Sequence, residues 1–361
     1  QYCTPPRVQS SMLNATKQQW SSELHGRYEC ALQLMQKRKQ RRSRVPSLHR
    51  VFHVDPDLGA EERYKRNDAF KAHSLKEHVW VETIDEALQS YVEGDIIELA
   101  EGQHVVSGHY PIYGSLTIRG VSTSNWKTLI VNKEYSPYFI WCIGKKTRVQ
   151  IENVLIRSRG SHLGIVRVSL RAQFIATNVL FHCNGLEGFN LEHESKLWLD
   201  RCVILNSVGA AIHVNTGCKC LLTQSKIVNC GEYDRHIIRG QGAIVIYGTD
   251  VNYAEHLIRK TPSLRFPSME NVPTMVLDPD PLLAAMLRGR TYLYVQECRI
   301  KSNYGFGISF EVTPAFHPLS VPIVASMMDV SITVRETHFT ENTFGNMGKI
   351  PAHWVLHRRE H

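Results

Sequence analysis

Short apolar runs separated by turn residues recur along the chain from Val149 onward. The stretch "LWLDRCVILNSVGAAIHV" (197–214) reads as strand, bend and strand, and similar stretches precede and follow it. Aligning the residue before each second strand gives Val154, Asn178, Cys202 and Ser225, with Cys298 and Thr337 in two later copies. The first intervals are 24 (178 − 154), 24 (202 − 178) and 23 (225 − 202) residues. The chain therefore contains internal repeats.

A repeat of this length with two or three short strands fits few architectures. Leucine-rich repeats need regularly spaced leucines, which are absent, and propeller blades need about 40 residues. The pattern predicts a mainly β fold, a right-handed parallel β-helix in which each strand pairs with its equivalent one coil away. Asparagines after the second strands suit the bends, because Asn adopts the left-handed conformation more readily than most residues. These are Asn184, Asn206, Asn229, Asn303 and Asn342.

The region before the repeats has a different pattern. Residues 14–36 show helical spacing of apolar residues, which predicts an amphipathic helix. Residues 79–99 read as strand, helix and strand, with a capping box from Thr83 to Glu86 and a stop at Gly94. We expect this unit to cap the open end of the solenoid. The predicted organisation is a helical or linker segment at 1–75 that ends an N-terminal region, a β-helix at 76–350 with loop insertions at about 251–289 and 312–328, and a tail at 351–361.

Composition and charge narrow the functional classes. The chain has 43% hydrophobic and 21% charged residues and no apolar run of membrane-spanning length, which is typical of a soluble globular protein. The net charge is +8, and six of the basic residues lie in "KRKQRRSR" (37–44). This segment could contact an anionic surface, act as a targeting signal or be a solvated helix end. No aromatic residues interleave with it, so specific nucleic-acid binding is not expected. The nine cysteines mostly lie in strand-like runs, which predicts buried free thiols in the cytoplasm.

The coils lack the catalytic motifs of known β-helix enzymes. The coils contain neither the paired aspartates of galacturonan hydrolases nor the carboxylate cluster of calcium-dependent lyases, and Asp200 stands alone beside Arg201. Cys218 with Cys220, and His182 with Cys183, lack a second ligand pair at zinc spacing. We therefore predict a protein that is not an enzyme and has no metal or cofactor. The alternative is a glycan hydrolase or lyase with an unrecognised acid/base pair.

Period-2 alternation in the strand after each Asn/Gly turn assigns residues to two faces. The outward positions of adjacent coils bring polar side chains into one patch with the hydrogen-bonding capacity for sugar hydroxyls, with Trp198 or Tyr247 as an aromatic platform. The patch contains Arg167, Ser169, Asn190, Glu192, His213 and Asn215. The alternative is an ordinary solvated sheet face.

Two segments carry a family resemblance. "GDIIELAEGQHVVSGHYPIYGSLTIRG" and the closing "TENTFGNMG" resemble the Nessun dorma and Shc-binding-protein family, over about residues 79–348. The resemblance implies a non-enzymatic scaffold of cytokinesis whose β-helix binds galactose-containing glycans. It also implies association with centralspindlin, a mitotic kinesin with a Rho-family GTPase-activating protein, at the cleavage furrow, midbody or ring canal. No family motif fixes a ligand residue.

Overall fold

The computed structural model describes eleven stretches of the chain. They are 50–71, 78–107, 110–122, 126–132, 138–158, 164–185, 187–215, 217–231, 242–248, 291–312 and 330–348. The predicted helix at 14–36, the basic run at 37–44, the insertion at 251–289 and the tail at 351–361 lie outside them. The insertion at 312–328 also lies outside, except for its first residue.

Three parallel sheets make up most of the described structure. The first contains β1 (Val51–Val54), β2 (His78–Val81), β3 (Asp95–Leu99), β6 (Ser115–Gly120), β9 (Arg148–Glu152), β12 (Gln173–Thr177), β15 (Lys196–Asp200), β18 (Lys219–Thr223), β21 (Thr291–Gln296) and β24 (Val330–Arg335). The second contains β4 (Gly102–Val106), β7 (Thr128–Asn132), β10 (Leu155–Ser158), β13 (Leu180–His182), β16 (Val203–Leu205), β19 (Lys226–Val228), β22 (Arg299–Lys301) and β25 (His338–Thr340).

The third sheet contains β5 (Tyr110–Ile112), β8 (Tyr138–Ile143), β11 (Gly164–Ser169), β14 (Glu187–Leu191), β17 (Ile212–Val214), β20 (Gly242–Gly248), β23 (Phe306–Val312) and β26 (Gly345–Gly348). From β3 onward the chain visits the three sheets in turn, and each strand pairs with its equivalent one coil away. This topology confirms the predicted fold class, a mainly β parallel β-helix.

Strand pairing corrects one alignment. Leu155 pairs with Leu180, Leu180 with Val203, and Val203 with Lys226. The offsets are therefore 25 (180 − 155), 23 (203 − 180) and 23 (226 − 203) residues. The residue equivalent to Val154 is Val179, so the assignment to Asn178 was wrong by one position. Asn178 instead forms the bend before β13.

Single residues in the left-handed conformation connect the first sheet to the second. Asn153 and Asn178 have φ values of 56° and 55°. The side-chain nitrogen Nδ2 of Asn178 donates to Asn153 Oδ1 at 2.8 Å. Asn206 and Asn229, after the second sheet, have φ values of 58° and 55°. The predicted asparagine bend is confirmed at these two positions. Asn303 differs, because it has no positive φ and its buried side chain donates to Asn342 Oδ1 at 2.9 Å.

The interior is a continuous apolar core. Phe189 lies between the rings of Phe174 and Phe181, with centroids 5.9 and 4.8 Å away. Seven cysteines of the described residues are buried and free, as predicted: Cys142, Cys183, Cys202, Cys218, Cys220, Cys230 and Cys298. Burial raises the pKa of Cys202 to about 12 and that of Cys218 to about 11, so both thiols are protonated at neutral pH.

The N-terminal end of the solenoid is larger than predicted. Helix α1 (Ala60–Lys71) separates β1 from β2, and α2 (Ile84–Ser90) separates β2 from β3. Strand β1 lies between β2 and β3, so the first sheet begins at Val51 and not after the predicted boundary at residue 76. A buried Asp95 fixes this arrangement, because it accepts from the Arg50 backbone amide at 3.0 Å and from Arg50 Nη2 at 2.9 Å.

The predicted cap at the N-terminus of α2 is present. Thr83 Oγ1 accepts a hydrogen bond from the Glu86 backbone amide at 3.2 Å. The Glu86 carboxylate accepts from the Glu82 amide at 3.2 Å, one residue before the position that a capping box uses. The helix ends at Ser90, and Gly94, with φ 92°, forms the turn into β3.

Gly188 marks a close approach of two coils on the third sheet. A Cβ at this position would lie 2.4 Å from the Ala211 carbonyl oxygen, which is backbone and cannot rotate away. We expect Gly188→Ala to lower the free energy of unfolding by about 1–3 kcal/mol, as overpacking does. Gly59→Ala is the control for an open position, because no neighbouring atom lies within 4 Å of its Cβ, and as the N-cap residue of α1 it should lose at most about 1 kcal/mol. Equal denaturation midpoints for the two variants would contradict this packing.

Candidate functional site

The structure brings three residues of the predicted polar patch together in one row on the third sheet. Strand register places Arg167 beside Asn190, and Asn190 beside His213. Trp141 precedes Arg167 in the same row, and Val245 follows His213. The alternating inward residues Val166, Val168, Leu191, Ile212 and Val214 are buried in the core.

This outward face is not an ordinary solvated surface. Val245 is fully buried, Ser309 is 7% exposed, and Ser169 is 2% exposed. The side chains of Arg167 and His213 are 23% and 13% exposed. Polar and charged groups therefore lie in a partly desolvated setting, where electrostatic interactions are stronger than in water.

Arg167 is the centre of the patch. Its Nε and Nη2 donate to Glu192 Oε2 at 3.0 and 2.7 Å, and its guanidinium carbon lies 4.9 Å from the Trp141 ring centroid. Burial alone would lower the pKa of Arg167, but the charges of Glu192 and of other nearby acidic groups outweigh it and raise the pKa. The ion pair therefore fixes the position of the Glu192 side chain beside Arg167.

Glu187 is a functional candidate that the sequence analysis missed. Its Oε2 accepts a hydrogen bond from the Tyr138 hydroxyl at 3.3 Å, and its Oε1 lies 3.8 Å from His213 Nε2. Burial raises the pKa of Glu187, and the charge of Glu192 raises it further, whereas His213 opposes the shift. Burial and the neighbouring Glu187 also raise the pKa of Tyr138 well above its usual value.

A glycine allows this contact. Gly164 pairs with Tyr138 on one side and with Glu187 on the other. A Cβ on Gly164 would lie 2.8 Å from the Tyr138 ring. The missing side chain lets the ring reach across one coil toward Glu187 and Asn190, whose amide nitrogen donates to the Tyr138 hydroxyl at 3.3 Å. In the sequence, Gly164 stands at the position equivalent to Tyr138 in the preceding coil and to Glu187 in the following coil. This pattern could have identified Glu187.

Of the other predicted site residues, two support the patch and two are not placed in it. Asn215 supports the patch, because its amide donates to Asn190 Oδ1 at 3.1 Å and to the Leu191 carbonyl at 2.7 Å. Ser169 is buried and accepts from Trp141 Nε1 at 2.9 Å, which makes it a support for the Trp141 ring. Trp198 lies in β15 on the first sheet and is not part of the patch. Tyr247 lies in β20, but its side chain is outside the described structure.

Two further properties concern metals and membranes. Within the described stretches, no three or more His, Cys, Asp or Glu side chains are grouped as a metal site would require. His182, one of the residues considered for zinc, lies between Arg157 Nε at 3.2 Å and Asn206 Nδ2 at 2.8 Å. Among these same residues, no helix has the length and apolar character to span a membrane.

Comparison with known proteins gives likenesses of fold only. No protein-family profile matches the chain, and no curated protein does. An alginate lyase from Paenibacillus sp. str. FPU-7 is 12% identical with a TM-score of 0.31, covering 73% of this chain and 94% of the lyase. The A-module of mannuronan C-5 epimerase AlgE4 from Azotobacter vinelandii is 8% identical with a TM-score of 0.25, covering 84% of this chain and 99% of the module.

These comparisons correct the prediction that the protein is not an enzyme. Both similar structures are of enzymes, an alginate lyase and a mannuronan C-5 epimerase. The physical reason is that short sequence motifs do not detect residues that come together from separate coils. Glu187, Tyr138 and His213 lie close together in the structure, although each comes from a different coil.

Proposed function

We propose that the protein hydrolyses glycans at the patch on the third sheet, with Glu187 as general acid and Glu192 as the second carboxylate. The observation that carries this proposal is the geometry of two partly buried glutamates. Glu187 accepts a hydrogen bond from Tyr138 and lies 3.8 Å from His213, whereas Glu192 is held in an ion pair by Arg167. Two carboxyl groups in different surroundings are the usual basis of acid and base roles. Glycoside hydrolysis uses one carboxylic acid and one carboxylate.

The roles follow from the surroundings of each group. A protonated Glu187 donates its proton to the glycosidic oxygen as the bond to the leaving sugar breaks. Glu192, as a carboxylate, activates the attacking water or stabilises the positive charge on the sugar. Asn190 and His213 are neighbours in register on β14 and β17, and their side chains can form hydrogen bonds with sugar hydroxyls.

A glycan panel tests the proposal. The protein is incubated with galactans, polyuronates and neutral glucans, and both new reducing ends and unsaturated uronic products are measured. Hydrolysis predicts new reducing ends without the ultraviolet absorbance of an unsaturated product. Unsaturated products would assign the patch to elimination instead, and no product from any glycan would contradict a catalytic role.

The pH dependence of turnover supplies a further test. Because burial raises the pKa of Glu187, its acid form persists to higher pH than that of an ordinary glutamic acid. We expect the rate to fall as the pH rises through this raised pKa. The rate profile of the hydrolysed glycan measures the effect, and a rate that rises over the same range would contradict the assignment of Glu187 as the acid.

The predicted partners and location stay predictions. They are association with centralspindlin, binding of galactose-containing glycans, and residence at the cleavage furrow, midbody or ring canal. The galactans in the panel test the recognition of galactose-containing glycans, and an affinity pull-down tests the association with centralspindlin.

A further inference from the structure

The outward face of the first sheet has a second organised surface, separate from the patch on the third sheet. Register places Ile175 beside Trp198, Trp198 beside Leu221, and Leu221 beside Tyr294. Trp198 is 46% exposed, although large apolar residues are usually covered. An apolar and aromatic row therefore follows the solenoid axis over four coils.

Three exposed cations, Arg148, Lys196 and Lys219, lie beside this aromatic row. Lys196 and Lys219 are adjacent in register, and Gln173 separates Lys196 from Arg148. No acidic partner within 4.0 Å is found for these three cations among the described residues. Lys219 Nζ lies 5.0 Å from the Tyr292 ring centroid, the next position in the same row.

The opposite edge of the aromatic row is polar and acidic. Glu152, Thr177, Asp200, Thr223 and Gln296 follow one another in register there. Asp200 accepts from Thr223 Oγ1 at 2.7 Å and from Arg201 Nε at 3.0 Å. The surface thus has cations on one edge, rings in the middle and hydrogen-bonding oxygens on the other edge.

We propose that this surface binds an acidic polysaccharide that lies along the solenoid axis. Adjacent strands are about 4.7–4.9 Å apart, so Lys196 and Lys219 present two cations at a spacing close to the length of one pyranose ring. A uronate chain matches this surface, with carboxylates toward these lysines, an apolar ring face on Trp198, and hydroxyls toward the acidic edge. An acidic peptide matches the cations but not the ring platform.

Binding is measured by titration calorimetry in the Glu187→Gln background, which prevents cleavage at the third sheet. The ligands are a polyuronate, a neutral galactan of equal length and polyglutamate. We expect the polyuronate to bind most tightly and to weaken as salt is raised. Trp198→Ala should weaken it about three- to tenfold, and Lys196→Glu with Lys219→Glu about tenfold.

The second sheet provides a matched control. Lys226 and Arg299 are also exposed cations in register on adjacent strands, but no aromatic row accompanies them in the part of the second sheet that the structure describes. Lys226→Glu with Arg299→Glu makes the same charge change and should leave the affinity within about twofold. An equal loss in this control, an unchanged affinity in Trp198→Ala, or equal binding of polyglutamate would overturn the proposal. Because the proposed hydrolysis depends on the third sheet, its failure would leave these results unchanged.

Discussion

Replacing Glu187 with Gln is expected to reduce the rate of glycan hydrolysis by about 10²–10⁴-fold, the range for loss of a general acid. The amide keeps the shape of the side chain and can still contact the Tyr138 hydroxyl, but it cannot donate a proton to the leaving oxygen. The initial rate on the best glycan of the panel measures the effect. A loss in the rate constant with little change in substrate affinity is expected, because the proton is transferred only in the transition state.

Glu194→Gln is the matched control for this substitution. Glu194 follows Glu192 in the same turn and pairs with Arg171 Nε at 2.5 Å, away from Tyr138 and His213. The substitution Glu194→Gln makes the same chemical change as Glu187→Gln and should leave the hydrolysis rate within about twofold of the parent rate. If Glu187→Gln retained the full rate, or if both variants lost it equally, Glu187 would not be the acid.

Stability separates a catalytic loss from a folding defect. A carboxyl whose pKa is raised by folding stabilises the native state below its unfolded-state pKa. That contribution is lost as the pH rises through the raised pKa of Glu187, because the charged form is disfavoured by burial. At neutral pH we therefore expect Glu187→Gln to unfold at the same temperature as the parent protein or a higher one. A lower melting temperature would indicate that the Glu187 charge stabilises the fold.

Replacing Phe189 with Ala is expected to lower the free energy of unfolding by about 3–5 kcal/mol. Phe189 is fully buried and contacts the rings of Phe174 and Phe181 from the two other sheets, so its loss leaves a cavity where all three sheets meet. Equilibrium denaturation in urea measures the change. Because Phe189 lies beside Glu187 and Asn190 on β14, the variant should also lose activity.

Trp198→Ala is the control for the loss of a large aromatic side chain. Trp198 is on the outward face of the first sheet and is 46% exposed, so its removal opens no cavity in the core. We expect a change within about 0.5 kcal/mol. A comparable destabilisation by the two substitutions would contradict the assignment of inward and outward faces.

Most of the fold could be predicted from the sequence because the repeat has a physical cause. Each coil buries the same positions, so Leu199, Leu222 and Val295 recur as core residues at equivalent points of adjacent strands. The bends need residues that tolerate positive φ, which explains Asn206 and Asn229. These constraints are local and periodic, and a single sequence displays them.

The errors arose where a constraint was not periodic. Asn178 was misaligned by one residue because its coil is longer than the next, and only strand pairing reveals the extra residue. Strand β1 was missed because four residues, "VFHV", lie between charged segments and carry no repeat signal. Its place between β2 and β3 depends on pairing with strands that follow it in the chain.

The site could be predicted in part. Alternation identified Arg167, Asn190 and His213, because period 2 and the repeat fix both face and neighbour. It could not identify Glu187, which lies at the start of β14, where the face of a side chain depends on the preceding bend. It also could not show that the patch is partly desolvated, which is the property that changes the pKa of Glu187.

The most direct test of the central claim is a crystal structure of Glu187→Gln with an oligosaccharide from the best glycan of the panel. The account predicts a sugar on the third sheet, with its glycosidic oxygen within hydrogen-bonding distance of residue 187 and its hydroxyls at Asn190 and His213. A saccharide bound on the first sheet alone, with the patch around Arg167 empty at saturating ligand, would contradict it.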